Sequence, residues 1–235
     1  SLDLFQTIPT VWVKERTLVR RASALWQRLP VHFQHLFNAI FWDSRRLHRY
    51  LVGASSLKGH HSCVHGNLWH TLEVAEQALK MAQGQPLACP EVLLMAALLH
   101  DAGKADEYRL GYSGLELTTR GKLVGHRNTI IEWIAAAIAH ARIALPESHY
   151  LGLIHALTSA RGAPDWLGLR ERCALDAVLP SAADRLSGQI ELMTRHSPSE
   201  SGFGRFHPHL RGRPYVVGAA FRRGSPGRTP LRGPT

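Results

Sequence analysis

Residues 95–104 read MAALLHDAGK, an apolar run that stops at His100 and Asp101 and is followed three residues later by Lys104. Taken alone, a His-Asp pair at the end of an apolar helix reads as a cap with a satisfied core histidine. Its meaning depends on what the rest of the chain brings to it. The surrounding segment, PEVLLMAALLHDAGK, is opened by Pro90 and apolar nearly all round, with Gly103 just past its end. That pattern predicts a helix at the centre of a core.

The chain on either side is helical in period. In KERTLVRRASALWQRL the apolar residues Leu18, Val19, Ala22, Leu25, Trp26 and Leu29 recur at three- and four-residue steps, and VHFQHLFNAIFWDSRRLHRYLV does the same after Pro30. These predict two amphipathic helices split at Pro30. GASSLKGHHSCVHG, residues 53–66, has no period and reads as a loop. From Asn67 a stripe of Leu68, Leu72, Ala75 and Leu79 predicts another helix ending at Gly84, and Tyr108 to Thr119 reads as a short hairpin or a loop. HRNTIIEWIAAAIAHARI, ESHYLGLIHALTSA and LRERCALDAVL predict three further helices, with Pro180 opening a last one through SAADRLSGQIEL. No repeat and no sheet pattern emerges, so the fold class is all-α, a helical bundle.

Composition bounds what such a bundle can be. The 235 residues can bury a substantial core, and the hydrophobic fraction of 45% is ordinary for a globular chain. No apolar run approaches the roughly 18 to 20 residues needed to span a bilayer, so the chain reads as soluble and cytoplasmic. Cys63, Cys89 and Cys173 lack CxxC spacing, which argues against a disulfide framework or a thiolate zinc cluster. Five tryptophans, Trp12, Trp26, Trp42, Trp69 and Trp133, sit in apolar helical surroundings and read as core or interface. The net charge of +10 is uneven, because residues 201–235 hold seven arginines and no acidic residue. A basic Gly/Pro-rich tail of this kind suits a phosphate backbone or another polyanion, with a solvated disordered extension as the alternative.

Polar residues on these helices carry the chemistry. His70 lies on a stripe with Val74, Ala78 and Met81 and can face inward. Asp184 sits among Leu175, Val178, Leu179, Ala182 and Leu186, which read as core, so it needs a partner. With His100 and Asp101 these make two imidazoles and two carboxylates. That donor set suits one divalent transition metal ion (Mn, Fe, Co, Ni or Zn) and leaves room for water, as catalytic sites do. Glu73, one turn from His70 but on the polar side, reads as a surface glutamate, and His155 as a core histidine.

The order of these words, HT at 70–71, HDAGK at 100–104 and AD at 183–184, resembles the HD-domain metal-dependent phosphohydrolase superfamily over about residues 35–190. GHHSCVHGNLWHT and GKLVGH, at 121–126, are similar to segments of HD-type 3′-to-5′ exoribonucleases and of the HD domain of TraI-like conjugative relaxases. The resemblance implies an N-terminal helical extension at 1–34, the HD domain at 35–195 and a basic tail at 196–235. It implies that His70, His100, Asp101 and Asp184 hold the metal, that Lys104 and His126 bind substrate phosphate, and that His60 and His61 bind phosphate or donate a proton. Where the exoribonuclease-like members carry a paired histidine this chain has Ala160 and Arg161. A second metal is therefore not expected, and Arg161 becomes the candidate phosphate clamp. The chemistry implied is hydrolysis of phosphate esters, of nucleotides or nucleic acid, by a hydroxide formed from metal-bound water. A non-catalytic HD module binding nucleic acid or a partner in a mobile-element system is the alternative, and a homodimer is a candidate assembly.

Overall fold

In a computed structural model of the chain, which describes residues 1–56, 63–112 and 114–218, the bundle is built around the helix that carries the HD pair. This helix, α5 (Pro90–Leu99), has Pro at its first turn and buries every residue from Val92 to Leu99. It packs on α4 (Gly66–Ala82), on α9 (Glu147–Thr158) and on α10 (Leu175–His196), and α10 lies along α4. Truncating such a core leucine to alanine costs about 2–5 kcal/mol.

The first residues join this core. α1 (Arg16–Trp26) and α2 (Val31–Ile40) bury Leu18, Leu25, Phe33 and Phe37 in the same cluster as α5, and Phe37, Phe41 and Tyr50 stack ring to ring. The 1–34 segment thus packs into the common core. The long helix expected after Pro30 is interrupted at Phe41–Asp43, where the Asp43 carboxylate accepts from Arg45 N and Arg46 N and starts α3 (Ser44–Val52). α8 (Gly125–Ala141) covers α2. Between α5 and α8 lie a single turn, α6 (Lys104–Glu107), the hairpin β1 (Tyr108–Gly111) and β2 (Gly114–Leu117), and α7 (Thr119–Leu123).

Several expectations are corrected. Residues 169–173 are not helical, and α10 runs unbroken from Leu175 to His196 with Pro180 inside it. Pro180 falls in the second turn, so its missing N–H removes only one ladder bond. The buried face of α10 is also not the leucine stripe. Asp176, Ala177, Ala183, Ser187 and Gly188 face inward, while Val178, at 40%, and Leu186, at 41%, are exposed. Small residues let α10 approach α4 closely, and the larger apolar ones are left outside. Trp42 is exposed at 73%, unlike the buried Trp26 and Trp133. No helix among the described residues is long and apolar enough to cross a membrane.

Candidate metal centre

His70 projects from the first turns of α4 into the seam with α5 and α10, and its side chain is wholly buried. Its Nε2 lies 3.1 Å from Asp184 Oδ1, 3.5 Å from Asp101 Oδ2 and 3.3 Å from His100 Nε2. His100 Nε2 is itself 3.5 Å from Asp101 Oδ2. His70, His100 and Asp184 bring donor atoms within 4.8 Å of one another, and Asp101 joins them through Oδ2. Donors that share a metal at about 2.1 Å stand about 3.0–3.4 Å apart, so this spacing matches a shared ion.

The tautomers point the same way. His100 Nδ1 lies 2.8 Å from the Ala97 carbonyl, which can only accept, so Nδ1 carries the proton. Ser187 Oγ donates to Glu73 Oε2 at 2.8 Å and therefore accepts from His70 Nδ1 at 3.1 Å. Both Nε2 atoms are left with lone pairs that face each other. Two lone pairs at 3.3 Å repel unless a cation lies between them, which is the observation that fits a metal here. Glu73, expected at the surface, also accepts from Trp69 Nε1 and so fixes His70 through Ser187. The sequence signal for this was the one-turn spacing from His70.

Electrostatics prepare the donors. Burial lowers the His70 imidazole against the pull of Asp184 and Asp101, favouring the neutral form that bonds a metal. Burial works to raise the Asp101 carboxyl, but Lys104, His100, His70 and His126 together hold it well below the usual carboxylate range. Burial likewise opposes Asp184, and the neighbouring His70 and His100 imidazoles keep it low. Two neutral imidazoles and two carboxylates sum to −2, which a divalent ion balances.

A second group flanks this one. Lys104 Nζ donates to Asp101 Oδ2 at 2.6 Å, so in this structure it holds that carboxylate. His126 Nε2 lies 3.7 Å from Asp101 Oδ1, and its Nδ1 is 2.7 Å from Glu107 Oε2. Burial opposes ionisation of Glu107, and His126 outweighs it, keeping the carboxyl low. The backbone enforces this placement. Gly125 takes a φ of +76°, which aims His126 inward. Gly103 was read as a helix terminator, but its φ is −63° and its necessity is steric, since a Cβ there would sit 2.2 Å from the His126 carbonyl oxygen.

Beside the centre opens a cleft of about 80 Å³, lined by His100, Asp101, His126, Asp184, Arg127 and Arg172 over an apolar floor that includes Leu157 and Pro180. Arg161 is not on this wall, because it is exposed in the turn after α9, where Ala160 N bonds to Arg170 O. Arg127 and Arg172 were not anticipated; the first directly follows the GH word at 125–126. Burial, then repulsion from Arg127 and Arg185, lowers the Arg172 guanidinium. Neither Arg127 nor Arg172 forms an ion pair among the described residues, so the wall holds positive charge to offer. His155 accepts from Cys173 N at 3.1 Å. His60 and His61 lie outside the described residues.

The chain is 27% identical over 171 residues to the 3′-5′ exoribonuclease YhaM of Bacillus licheniformis, covering 69% of this chain and 54% of that protein. It is 25% identical to the same-named protein of Bacillus subtilis over the same shares, and 26% identical to that of a Geobacillus species over 60% of this chain and 43% of the relative. It thus spans about half the length of the curated relatives it matches. No solved structure matches the chain. The HD domain family pattern matches residues 68–187, just over half of the chain, and runs from the first turns of α4 to the serine that fixes His70. The chain belongs to the HD domain family, and within the matched segment His70, His100 and Asp184 form a group that could hold a metal ion.

Proposed function

We propose that this domain hydrolyses phosphate esters of nucleic acid or nucleotides at the four-residue centre, acting as a nuclease or phosphodiesterase with one divalent transition metal per chain, in the cytoplasm. His70, His100, Asp101 and Asp184 would hold the ion. A divalent ion bound there supplies Lewis acidity toward a phosphoryl oxygen and toward water.

The chain's own groups do the rest. Arg127 and Arg172 bind the charge on the phosphoryl oxygens, in place of Arg161. The cleft admits a phosphoryl group and a few waters, so the remainder of a substrate lies along the protein surface. His126, with its Nδ1 proton taken by Glu107, presents Nε2 beside Asp101 and can exchange a proton with the departing oxygen. Lys104 holds Asp101 ionised and oriented. The exoribonuclease names of the relatives favour RNA over a free nucleotide.

The observation that carries this reading is the approach of the His70 and His100 Nε2 atoms to 3.3 Å beside the Asp101 and Asp184 carboxylates, next to a cleft whose arginines form no ion pair among the described residues. A second reading, a non-catalytic HD module of relaxase-like type, draws on the 2.6 Å contact of Lys104 with Asp101, which compensates that carboxylate without a metal. Elemental mass spectrometry on untagged protein, with bis-p-nitrophenyl phosphate and short RNA as substrates, separates them. About one metal per chain and metal-dependent turnover support the hydrolase. No metal after reconstitution with Mn or Ni overturns it.

A further inference from the structure

Beyond α10, where the sequence reads as a basic tail for a polyanion or a disordered extension, residues 202–216 fold into a small hairpin. β3 (Gly202–Phe203) pairs antiparallel with β4 (Tyr215–Val216), placing Phe203 opposite Tyr215 with ring centroids 4.7 Å apart. The two residues remain 63% and 57% exposed, and Phe206 in the connection is 64% exposed. Two packed aromatic rings held in water, with a third exposed in the connection between them, form a surface that needs a partner.

The cations are interleaved with the rings. Arg205, Arg211 and Arg213 are exposed, and no acidic residue occurs from Ser201 onward. Arg213 Nε donates to the Gly204 carbonyl at 2.8 Å, which holds its guanidinium 5.7 Å from the Phe203 centroid. The hairpin is also anchored. Gly204 packs so close to the end of α10 that a Cβ would lie 2.1 Å from the His196 carbonyl oxygen, and the His196 and His207 rings pack 4.3 Å apart. Since α10 carries Asp184, a rise of about 1.5 Å per residue sets the hairpin about 18 Å along that helix from the metal centre. That is about five stacked nucleotides at about 3.4 Å each.

We propose that the 202–216 hairpin is a binding platform for a single-stranded polynucleotide, in which bases stack on Phe203, Phe206 and Tyr215 and phosphates meet the three arginines. The inference rests on the hydrolase reading only in expecting a polynucleotide near the site. Exposed rings call for planar faces and exposed guanidiniums call for anions, and an unpaired strand offers both while a duplex hides its bases. A second copy of this chain is repelled by the same charge, and an acidic peptide supplies anions with few planar faces.

The test is fluorescence anisotropy of a labelled phosphorothioate oligouridylate, which resists hydrolysis, on the full metal-loaded chain. Phe203→Ala with Tyr215→Ala weakens binding about tenfold or more, and Phe206→Ala weakens it severalfold. Phe203→Leu with Tyr215→Leu keeps the apolar packing and removes the π faces, so it gives the same loss without unfolding the hairpin. Hydrolysis of bis-p-nitrophenyl phosphate is unchanged in all three. Wild-type binding by the ring variants, or equal binding of duplex and heparin, overturns the platform. A wild-type chain that hydrolyses bis-p-nitrophenyl phosphate but does not bind the strand defeats the platform alone, and a wild-type chain that binds the strand without hydrolysis defeats the enzymatic reading alone.

Discussion

The two halves of the site are built by opposite means. His70 and His100 are held by long buried helices and by bonds that fix their tautomers, from Ser187 with Glu73 and from the Ala97 carbonyl. His126 is held by a one-turn helix, a turn glycine and one carboxylate, in a stretch whose placement depends on backbone touching backbone at Gly103. The first half is over-determined by packing, whereas the second is set by a few steric facts. Damage should therefore travel differently through each.

The largest effect is expected in the first half. Asp101→Ala removes the carboxylate that faces both Nε2 atoms, so metal content falls to background and hydrolysis drops at least about a thousandfold. Elemental mass spectrometry beside the rate assay checks it. A variant that still holds a full equivalent of metal would break the assignment of Asp101 as a ligand.

Gly103→Ala probes the second half. The added methyl group must push the His126 backbone away, and a shift of about 1 Å costs about a hundredfold in rate when the displaced group works on the substrate. Metal content stays near wild type, because His70, His100 and Asp184 do not rest on that contact. Overpacking also costs about 1–3 kcal/mol of stability, read as a lower melting temperature. If metal is lost along with rate, the halves are not independent.

Glu73→Gln separates a tautomer-fixing residue from a surface one. Its carboxylate takes the Ser187 proton and so forces Ser187 to accept from His70, and loss of such a partner weakens metal affinity about 10- to 100-fold. Competition with a chelator measures this. An unchanged affinity would return Glu73 to the surface role that its position on the polar side suggested.

How far the sequence reached follows the same division. The four proposed metal ligands could be read because each ends or interrupts an apolar helical stripe, where a polar side chain has few reasons to be. Their convergence on one point could not, since it depends on how α4, α5 and α10 cross. The inward face of α10 was misread because hydrophobicity favours Leu186 over Ser187, while close packing against α4 favours the small residue. Gly103 was seen as a stop signal, yet its role is a contact across 23 residues that no local pattern encodes. The hairpin after α10 was hidden by composition, since its few strand residues lie among the glycines, prolines and arginines of a typical tail.

The phosphate clamp is the finest point on which sequence and structure part. Counting from the missing histidine pair led to Arg161, whereas the cleft is walled by Arg127 and Arg172. A guanidinium that bonds the phosphoryl group in ground and transition states alike contributes about 1.5–3 kcal/mol to both, so its loss shows in KM more than in kcat. Arg172→Gln should raise KM for a phosphate ester about tenfold and move kcat about threefold or less. Arg161→Gln, in its exposed turn, should change neither. If the results are reversed, the loop after α9 closes over the substrate and the clamp belongs to Arg161. If both variants bind substrate normally, charge on the ester is met by Lys104 and the metal-binding half alone.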